Sequence, residues 1–287
     1  MTTSSLFHVP GYQESELEFE GIPVHVWEGG AGQPLILAHG SGAGCQTLSN
    51  WKAVLEPLAK RYRVLAPDFV GFGHSGWKSQ APLFDMAMWQ RQIEFLMRTR
   101  FPGQKVGLIG HSFAGPIVLE IAAKNDDVAG VVVTGTAGRS EIPNSGGPGW
   151  KFPDSPEGLR KGVSRTVIDP ALVDDAEIER RMIVLGRPGA KENFNGMFGG
   201  EKRELVAAMS MTDETLQAIK CPVTFLHGRQ DASFAPEDTS LPMGKLVKAS
   251  SVMVIDQCAH SVALEHPEKF VTAVDMTFGQ EWPGLKR

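Results

Sequence analysis

The chain has 287 residues, 42% of them hydrophobic and 21% charged, which is ordinary for a soluble globular protein and sufficient for a sizeable core. Its formal net charge of −5, with no basic cluster beyond the terminal Lys286 and Arg287, argues against a nucleic-acid partner. Met1 to Pro10 has no basic leader with an apolar stretch, and nowhere does an apolar run reach the roughly eighteen residues of a membrane span, so neither a signal peptide nor a membrane partner is expected.

Leu17 to Glu20 and Ile22 to Trp27 alternate apolar and polar residues around Gly21, which predicts a half-buried antiparallel strand pair. Val24 and Val26 would face one way and His25 and Trp27 the other, with His25 at the strand surface. After a Gly-rich turn, the apolar run Pro34 to Ala38 predicts a strand covered on both faces. It ends in His39-Gly40-Ser41-Gly42-Ala43-Gly44, small residues that let a ligand approach the backbone at a strand's carboxyl end, with His39 supporting the loop. Leu48 to Arg61 reads as a helix with Trp51, Val54, Leu55 and Leu58 on one face, and Tyr62 to Ala66 as the next strand. Gly71, Gly73 and Gly76 then spell G-x-G-x-x-G, but Trp77 to Pro82 continues as loop where a dinucleotide fingerprint requires a helix to open. That argues against a nucleotide site.

Phe84 to Arg98 predicts a helix capped by Asp85. The apolar run Lys105 to Ile109, the hexapeptide Gly110-His111-Ser112-Phe113-Ala114-Gly115 and the apolar run Pro116 to Ala123 predict a strand, a sharp turn and a helix, with Ser112 at the apex. A serine at such a tip sits in strained backbone and needs small neighbours, here Gly110 and Ala114. The same turn puts the N–H of Phe113 at a helix N-terminus, where an orphan donor and the helix dipole favour a developing oxyanion. Gly130 to Val133 is a further buried strand. From Gly138 to about Gly200 glycines, prolines and charges are dense and strands vanish, as in a cap inserted over the active face, with short helices near Pro170 to Leu185 and Lys191 to Phe198. Alternation resumes with a helix through Ala218, the strand Pro222 to Leu226, a helix near Leu241 to Lys248, the strand Val252 to Ile255 and a closing helix from Pro267. Such a pattern implies a mostly parallel sheet with right-handed crossovers, whose carboxyl-end loops gather in space. The three cysteines, Cys45, Cys221 and Cys258, are far apart, odd in number and without zinc spacing, which fits free thiols in a reducing, cytoplasmic setting.

Three of the gathered loops carry what a serine nucleophile requires: Ser112, a base to take its proton, and a carboxylate to orient that base. Asp231 follows the strand ending Phe225-Leu226-His227-Gly228, and His260 follows Val252 to Ile255. The order Ser, Asp, His, each just past a strand, is the α/β-hydrolase order. Among rivals, Asp68 comes too early in the chain, Asp256 is a minor alternative acid, His111 is a pocket residue beside the nucleophile, His227 reads as strand-end packing and His266 as a surface residue.

From Leu17 to Phe278 the sequence resembles the α/β-hydrolase superfamily, and more narrowly the meta-cleavage-product hydrolases, which cleave C–C bonds in ring-fission products of aromatic degradation. The resemblance rests on His39 to Gly44 with Trp51 following, on Arg63-Val64-Leu65-Ala66-Pro67-Asp68-Phe69-Val70-Gly71-Phe72-Gly73, and on the Ser112 turn. His227 to Asp231, Cys258-Ala259-His260, and Arg181, Pro188-Gly189 and Asn193-Phe194 in the inserted segment complete it. It implies an α/β-hydrolase fold, a mostly parallel sheet flanked by helices, with residues 1–137 and 201–287 as core and 138–200 as a helical cap. It further implies Ser112 as nucleophile, His260 as base, Asp231 as its orienter, the N–H groups of Ser41 and Phe113 as oxyanion donors, and Arg181 as partner of a substrate carboxylate. No metal or organic cofactor is implied. The chain departs from the family at His111, where asparagine is frequent, at Ser261, where tryptophan is usual, and at Gly42-Ala43-Gly44, where proline usually stands in the middle. These departures, Gly42, His111 and Ser261, fall in the substrate pocket. The leading expectation is a C–C hydrolase acting on a small molecule, as a cytoplasmic protein and, if assembled, a homodimer. The alternatives are a carboxylic-ester hydrolase or lactonase with the same triad, and a non-catalytic ligand receptor on the same fold.

Overall fold

The computed structural model describes residues 6–139 and 150–279; the terminal Lys286 and Arg287 lie outside them. Eight strands form one sheet. β1 (Tyr12–Phe19) and β2 (Ile22–Gly29) are an antiparallel hairpin, and β2 also pairs antiparallel with β4 (Tyr62–Pro67). The remaining junctions are parallel: β4 with β3 (Gln33–Ala38), β3 with β5 (Val106–His111), β5 with β6 (Val128–Thr134), β6 with β7 (Val223–Gly228) and β7 with β8 (Ser250–Ile255). The strand order β1-β2-β4-β3-β5-β6-β7-β8 puts β3 and β5 side by side in the middle, so the loops leaving them adjoin.

Helices cover both faces. The apolar run of β3 shows why: Leu35 and Leu37 belong to one buried cluster, Ile36 and Ala38 to the other, as a strand's two-residue period dictates. On the Leu35 side lie α1 (Thr47–Ala59) and the closing helix (Pro267–Phe278), which contribute Trp51, Leu55, Phe270 and Val274. On the Ile36 side lie α2 (Met86–Arg100) and α3 (Ala114–Lys124), with Trp89, Ile93, Ile117 and Val118. Each fully buried side chain of this kind contributes roughly 1.5–3 kcal/mol. Asp85 caps α2 as expected, accepting from the N–H of Met88 at 2.9 Å.

Between Thr134 and Val223 the described residues hold no strand. Instead there are α4 (Pro156–Val163), short 3-10 turns over Ser164–Thr166 and Pro170–Leu172, α5 (Asp175–Leu185), α6 (Ala190–Phe198), α7 (Lys202–Ala208) and α8 (Asp213–Ala218). Leu159, Val167, Val173 and Ile178 form a small buried cluster of their own there. Further on come α9 (Ser240–Leu246) and the one-turn α10 (Val262–Glu265).

His25 overturns one expectation. Its side chain is only 12% exposed, and its ring nitrogens lie 3.1 Å from Asp68 Oδ2 and 2.9 Å from Glu14 Oε2. Trp27 beside it is buried, so β2 is covered on both faces here, while β1 keeps the expected half-buried alternation. Asp68, fully buried, also accepts from the N–H groups of Thr47 at 2.7 Å and His74 at 2.9 Å, which ties β2, β4 and α1 together. Burial opposes ionisation of both partners. For His25 the hydrogen bond and charge of Asp68, then those of Glu14, outweigh it and raise the pKa. For Asp68 the bond and charge of His25 outweigh it and hold the carboxyl well below the usual range. The raised His25 stabilises the fold below about pH 6.5 and loses that contribution as pH climbs through its folded-state value. Asp68 stabilises above about pH 3.9 and loses its contribution as pH falls through its own. The stability lost in His25→Ala should therefore be greatest between about pH 4 and 6.5 and shrink toward alkaline pH in denaturant titrations. A difference independent of pH would rule out a protonated His25.

Candidate functional site

The turn after β5 has the strained geometry expected of it. Ser112 is a non-glycine residue at φ +58°, held by its N–H donating to Thr134 O at 2.9 Å and by its carbonyl accepting from Gly115 and Ala137. The small residues are required. A Cβ on Gly110 would meet Ala114 O at 2.7 Å, and one on Gly115 would meet Thr136 Oγ1 at 1.9 Å. The clearance thus comes from Gly110 and Gly115. Phe113 turns its ring into an aromatic cluster, with centroids 5.6 Å from Phe69 and Phe72 and 5.2 Å from Trp89. That buried anchor fixes the backbone at the start of α3, where the N–H of Phe113 is donated to no acceptor among the described residues.

The loop after β3 lies alongside. His39 is fully buried: its Nε2 accepts from the N–H of Phe69 at 3.0 Å, so its Nδ1–H donates to Gly40 O at 2.6 Å. Burial lowers its pKa and keeps it in that neutral role. Asn50 Oδ1 takes the N–H of Gly40 at 2.8 Å, whereas the N–H of Ser41 has no acceptor among the described residues. Two orphan backbone donors, on Ser41 and Phe113, therefore flank adjoining strand ends.

Asp231 and His260 meet after β7 and β8. His260 Nδ1 lies 2.7 Å from Asp231 Oδ2, while Asp231 Oδ1 accepts from the N–H groups of Ser233 at 2.8 Å and Phe234 at 3.1 Å. Burial opposes ionisation of Asp231, but the charge of His260 and the hydrogen bonds of His227 and His260 outweigh it and hold the carboxyl well below the usual range. An ionised carboxylate can only accept, so His260 carries its proton on Nδ1 and leaves Nε2 free to accept. Ser112 and His260 line one cavity, and no hydrogen bond joins them among the described residues. Such bonds are often long before a ligand closes the site.

His227 differs from the expected packing role. Its Nε2 lies 2.7 Å from Phe234 O and 3.1 Å from Asp231 Oδ2, and its Nδ1 lies 2.6 Å from Ser240 Oγ, so it braces the carboxylate. The rival Asp256 is an exposed partner of Arg229, and Asp68 belongs to the His25 cluster.

The cavity has a volume of about 760 Å³, and its wall includes Ser41, Gly42, His111, Ser112, His260 and Ser261. Gly42 takes φ +130°, open only to glycine at no cost. His111 lies with its ring centroid 4.6 Å from that of His260, and its Nδ1 is 3.1 Å from Thr134 O and 3.0 Å from Thr134 Oγ1. Since a carbonyl only accepts, Nδ1 carries the proton. Burial, then the neighbouring charge of His260, push the pKa of His111 far down, so it presents a neutral imidazole. Ser261 joins the 3-10 turn at Ser164–Thr166: its Oγ donates to Thr166 Oγ1 at 3.0 Å, and Thr166 O accepts from the N–H groups of His260 and Ser261.

Arg181, on α5, is buried in the cavity wall. Its Nε donates to Glu177 Oε1 at 2.6 Å and its Nη1 to Ala43 O at 3.1 Å. Glu177 also accepts from Arg180 Nη2 at 2.9 Å, so two guanidinium groups share one buried carboxylate and the trio keeps one net positive charge. The i, i+3 and i, i+4 spacing of Glu177, Arg180 and Arg181 was a usable sequence signal for this cluster. Trp150 had none: its Nε1 donates to Ser41 Oγ at 2.7 Å while its ring stacks on Phe198 at 5.2 Å, joining residues far apart in the chain.

Residues 35–273 match the model of the alpha/beta hydrolase family. The chain is 31% identical over 257 residues to 2-hydroxy-6-oxo-2,4-heptadienoate hydrolase of Pseudomonas putida strain F1, covering 89% of this chain and 92% of that one. It is 30% identical over 261 residues to 2-hydroxymuconate semialdehyde hydrolase of Pseudomonas sp. strain CF600, covering 90% and 91%. The solved structure of a meta-cleavage product hydrolase from Pseudomonas fluorescens IP01 superposes with a TM-score of 0.85 at 26% identity, over 92% of this chain and 97% of that one. A match of that span, with relatives of that likeness and coverage, makes this chain a member of the alpha/beta hydrolase family that stands with the meta-cleavage product hydrolases.

Proposed function

We propose that the protein hydrolyses a C–C bond in a 2-hydroxy-6-oxo-dienoate, using Ser112 as nucleophile, His260 as base and Asp231 as the group that orients it. The observation that carries this reading is the meeting, on one cavity, of a strained Ser112, an Asp231-anchored His260 with a free Nε2 and a buried arginine with charge to spare, beside the adjoining strand ends that carry the orphan N–H donors of Ser41 and Phe113. Residues 1–137 and 201–287 would form the hydrolase core and 138–200 its cap.

The chemistry follows from the parts. With the dienol ketonised, Ser112 Oγ attacks the 6-oxo carbon as its proton passes to His260 Nε2, and the N–H groups of Ser41 and Phe113 take the charge on the carbonyl oxygen. The C–C bond breaks, its electron pair leaves as a stabilised enolate carbon, and the proton on His260 ends on that fragment. Water then adds to the acyl group on Ser112, releasing a carboxylic acid. Arg181 holds the dienoate carboxylate at the far side of the cavity.

Incubation with a yellow dienoate and, in parallel, a p-nitrophenyl ester tests the reading. Bleaching of the dienoate supports it, and ester turnover with no bleaching replaces it with an ester hydrolase. Arg181→Gln leaves Glu177 paired with Arg180, so the fold should survive while KM for the dienoate rises roughly 10- to 100-fold and kcat falls less. An unchanged KM would remove Arg181 from substrate binding.

A further inference from the structure

His111 has no part in the steps above, yet it stands against both the nucleophile and the base. Its backbone adjoins Ser112, and its ring centroid lies 4.6 Å from that of His260 at a tilt of 50°. Most of the ring is committed. Nδ1–H is held by Thr134 O and Oγ1 at 3.1 and 3.0 Å, Cδ2 lies so close to Gly40 that a Cβ there would meet it at 2.8 Å, and the Trp51 ring stands nearly perpendicular at 6.2 Å. That leaves Nε2. It has no partner among the described residues, is not sealed from solvent, and belongs to a side chain of the cavity wall. With the proton on Nδ1 it offers a lone pair only, and burial keeps the ring neutral, so it accepts a hydrogen bond without taking the proton. The cavity thus holds two imidazole acceptors at close quarters, Nε2 of His111 and Nε2 of His260, and neither has a donor among the described residues. A ketone, an enolate or a carboxylate satisfies neither. One water satisfies both, because its two O–H bonds point apart.

We infer that His111 is a catalytic residue of the deacylation step, holding the hydrolytic water by one O–H bond while His260 takes the other. The O–H bond directed at His260 breaks: its proton goes to Nε2 and its electron pair forms the bond to the acyl carbon on Ser112. The second O–H bond stays whole against His111. When the tetrahedral intermediate collapses, the C–Oγ bond breaks, Ser112 Oγ takes the proton back from His260, and the carboxylic acid leaves with the hydrogen that His111 held. Acylation uses no water, so His111 acts on the second half of the reaction. The inference rests on the proposed acyl group on Ser112, and it is the same whether a C–C or an ester bond was broken to form that group.

The test uses two substrates that leave the same acetyl group on Ser112, 2-hydroxy-6-oxo-2,4-heptadienoate and p-nitrophenyl acetate, with methanol added to compete with water. Methanol has a single O–H bond, which His260 must take, so its methyl group faces His111 and leaves that acceptor unmet. His111→Asn keeps an amide N–H for Thr134 but has no atom at the Nε2 position. It should raise the ratio of methyl acetate to acetate about tenfold or more, and slow deacylation relative to acylation by a like factor. His111→Gln, whose amide oxygen reaches the Nε2 position, should bring both values most of the way back. Gas chromatography of the two products and rapid-quench mass spectrometry of the acetyl-enzyme read the ratio and the rates, and circular dichroism checks the fold. An unchanged ratio in His111→Asn, an equal fall of acylation and deacylation, or a glutamine no better than the asparagine would overturn the inference. A parent enzyme that is acetylated by the ester but leaves the dienoate uncleaved would overturn the C–C reading alone, because the partition is read on the acetyl-enzyme from either substrate.

Discussion

Ser112→Ala should abolish turnover of the dienoate, with kcat/KM falling by four or more orders of magnitude, roughly the loss seen when a serine nucleophile is removed from a working triad. The fold should be unaffected. Ser112 Oγ makes no hydrogen bond among the described residues, and its backbone bonds to Thr134, Gly115 and Ala137 do not involve the side chain. The φ of +58° also suits alanine no worse than serine. Single-turnover bleaching followed by stopped flow measures the loss directly. Near-full turnover in the variant would assign the chemistry to another group and leave the protein a hydrolase without its proposed nucleophile.

Asp231→Asn should cost about 10⁴-fold in kcat/KM, and the hydrogen bonds around it give the reason. Oδ1 of Asp231 accepts from the N–H groups of Ser233 and Phe234, so an asparagine there keeps its carbonyl oxygen on that side. Its NH₂ is then turned to the Oδ2 position, facing His260 Nδ1 and His227 Nε2. His260 must accept at Nδ1 and carry its proton on Nε2, the tautomer that cannot take a proton from Ser112. Steady-state rates read beside thermal unfolding separate this from loss of structure, and a variant within tenfold of the parent would show that Asp231 does not orient the base.

Much of this arrangement was legible in the sequence because it depends on local rules. Continuous apolar runs marked the parallel strands, and the small residues about Ser112 marked the turn. Chain order placed Asp231 and His260 at strand ends that a parallel sheet gathers together. What escaped the sequence depends on contacts between distant segments. His25 looked like a surface residue because its alternation with Val24 and Val26 is that of a half-buried strand, and only the return of the chain through Asp68 and His74 covers its other side. α4 has no legible period because its eight residues include a proline and two glycines and bury one leucine. The bracing role of His227 has no mark in the sequence because the turn that folds Asp231 and Phe234 back onto it has no periodic signature.

Thr166 gives the inserted segment a fixed edge. Its carbonyl takes the N–H groups of both His260 and Ser261, and its hydroxyl accepts from Ser261. Lifting the segment at that edge would strand two donors beside the buried His260, at roughly 1–3 kcal/mol for each. Any traffic through the cavity then uses gaps that leave this seam closed, and the position of the His260 imidazole depends on the inserted segment as well as on Asp231. Because the hydroxyl of Thr166 meets Ser261, the neighbour of His260, a substitution at Thr166 would loosen the seam at the point where the imidazole is held.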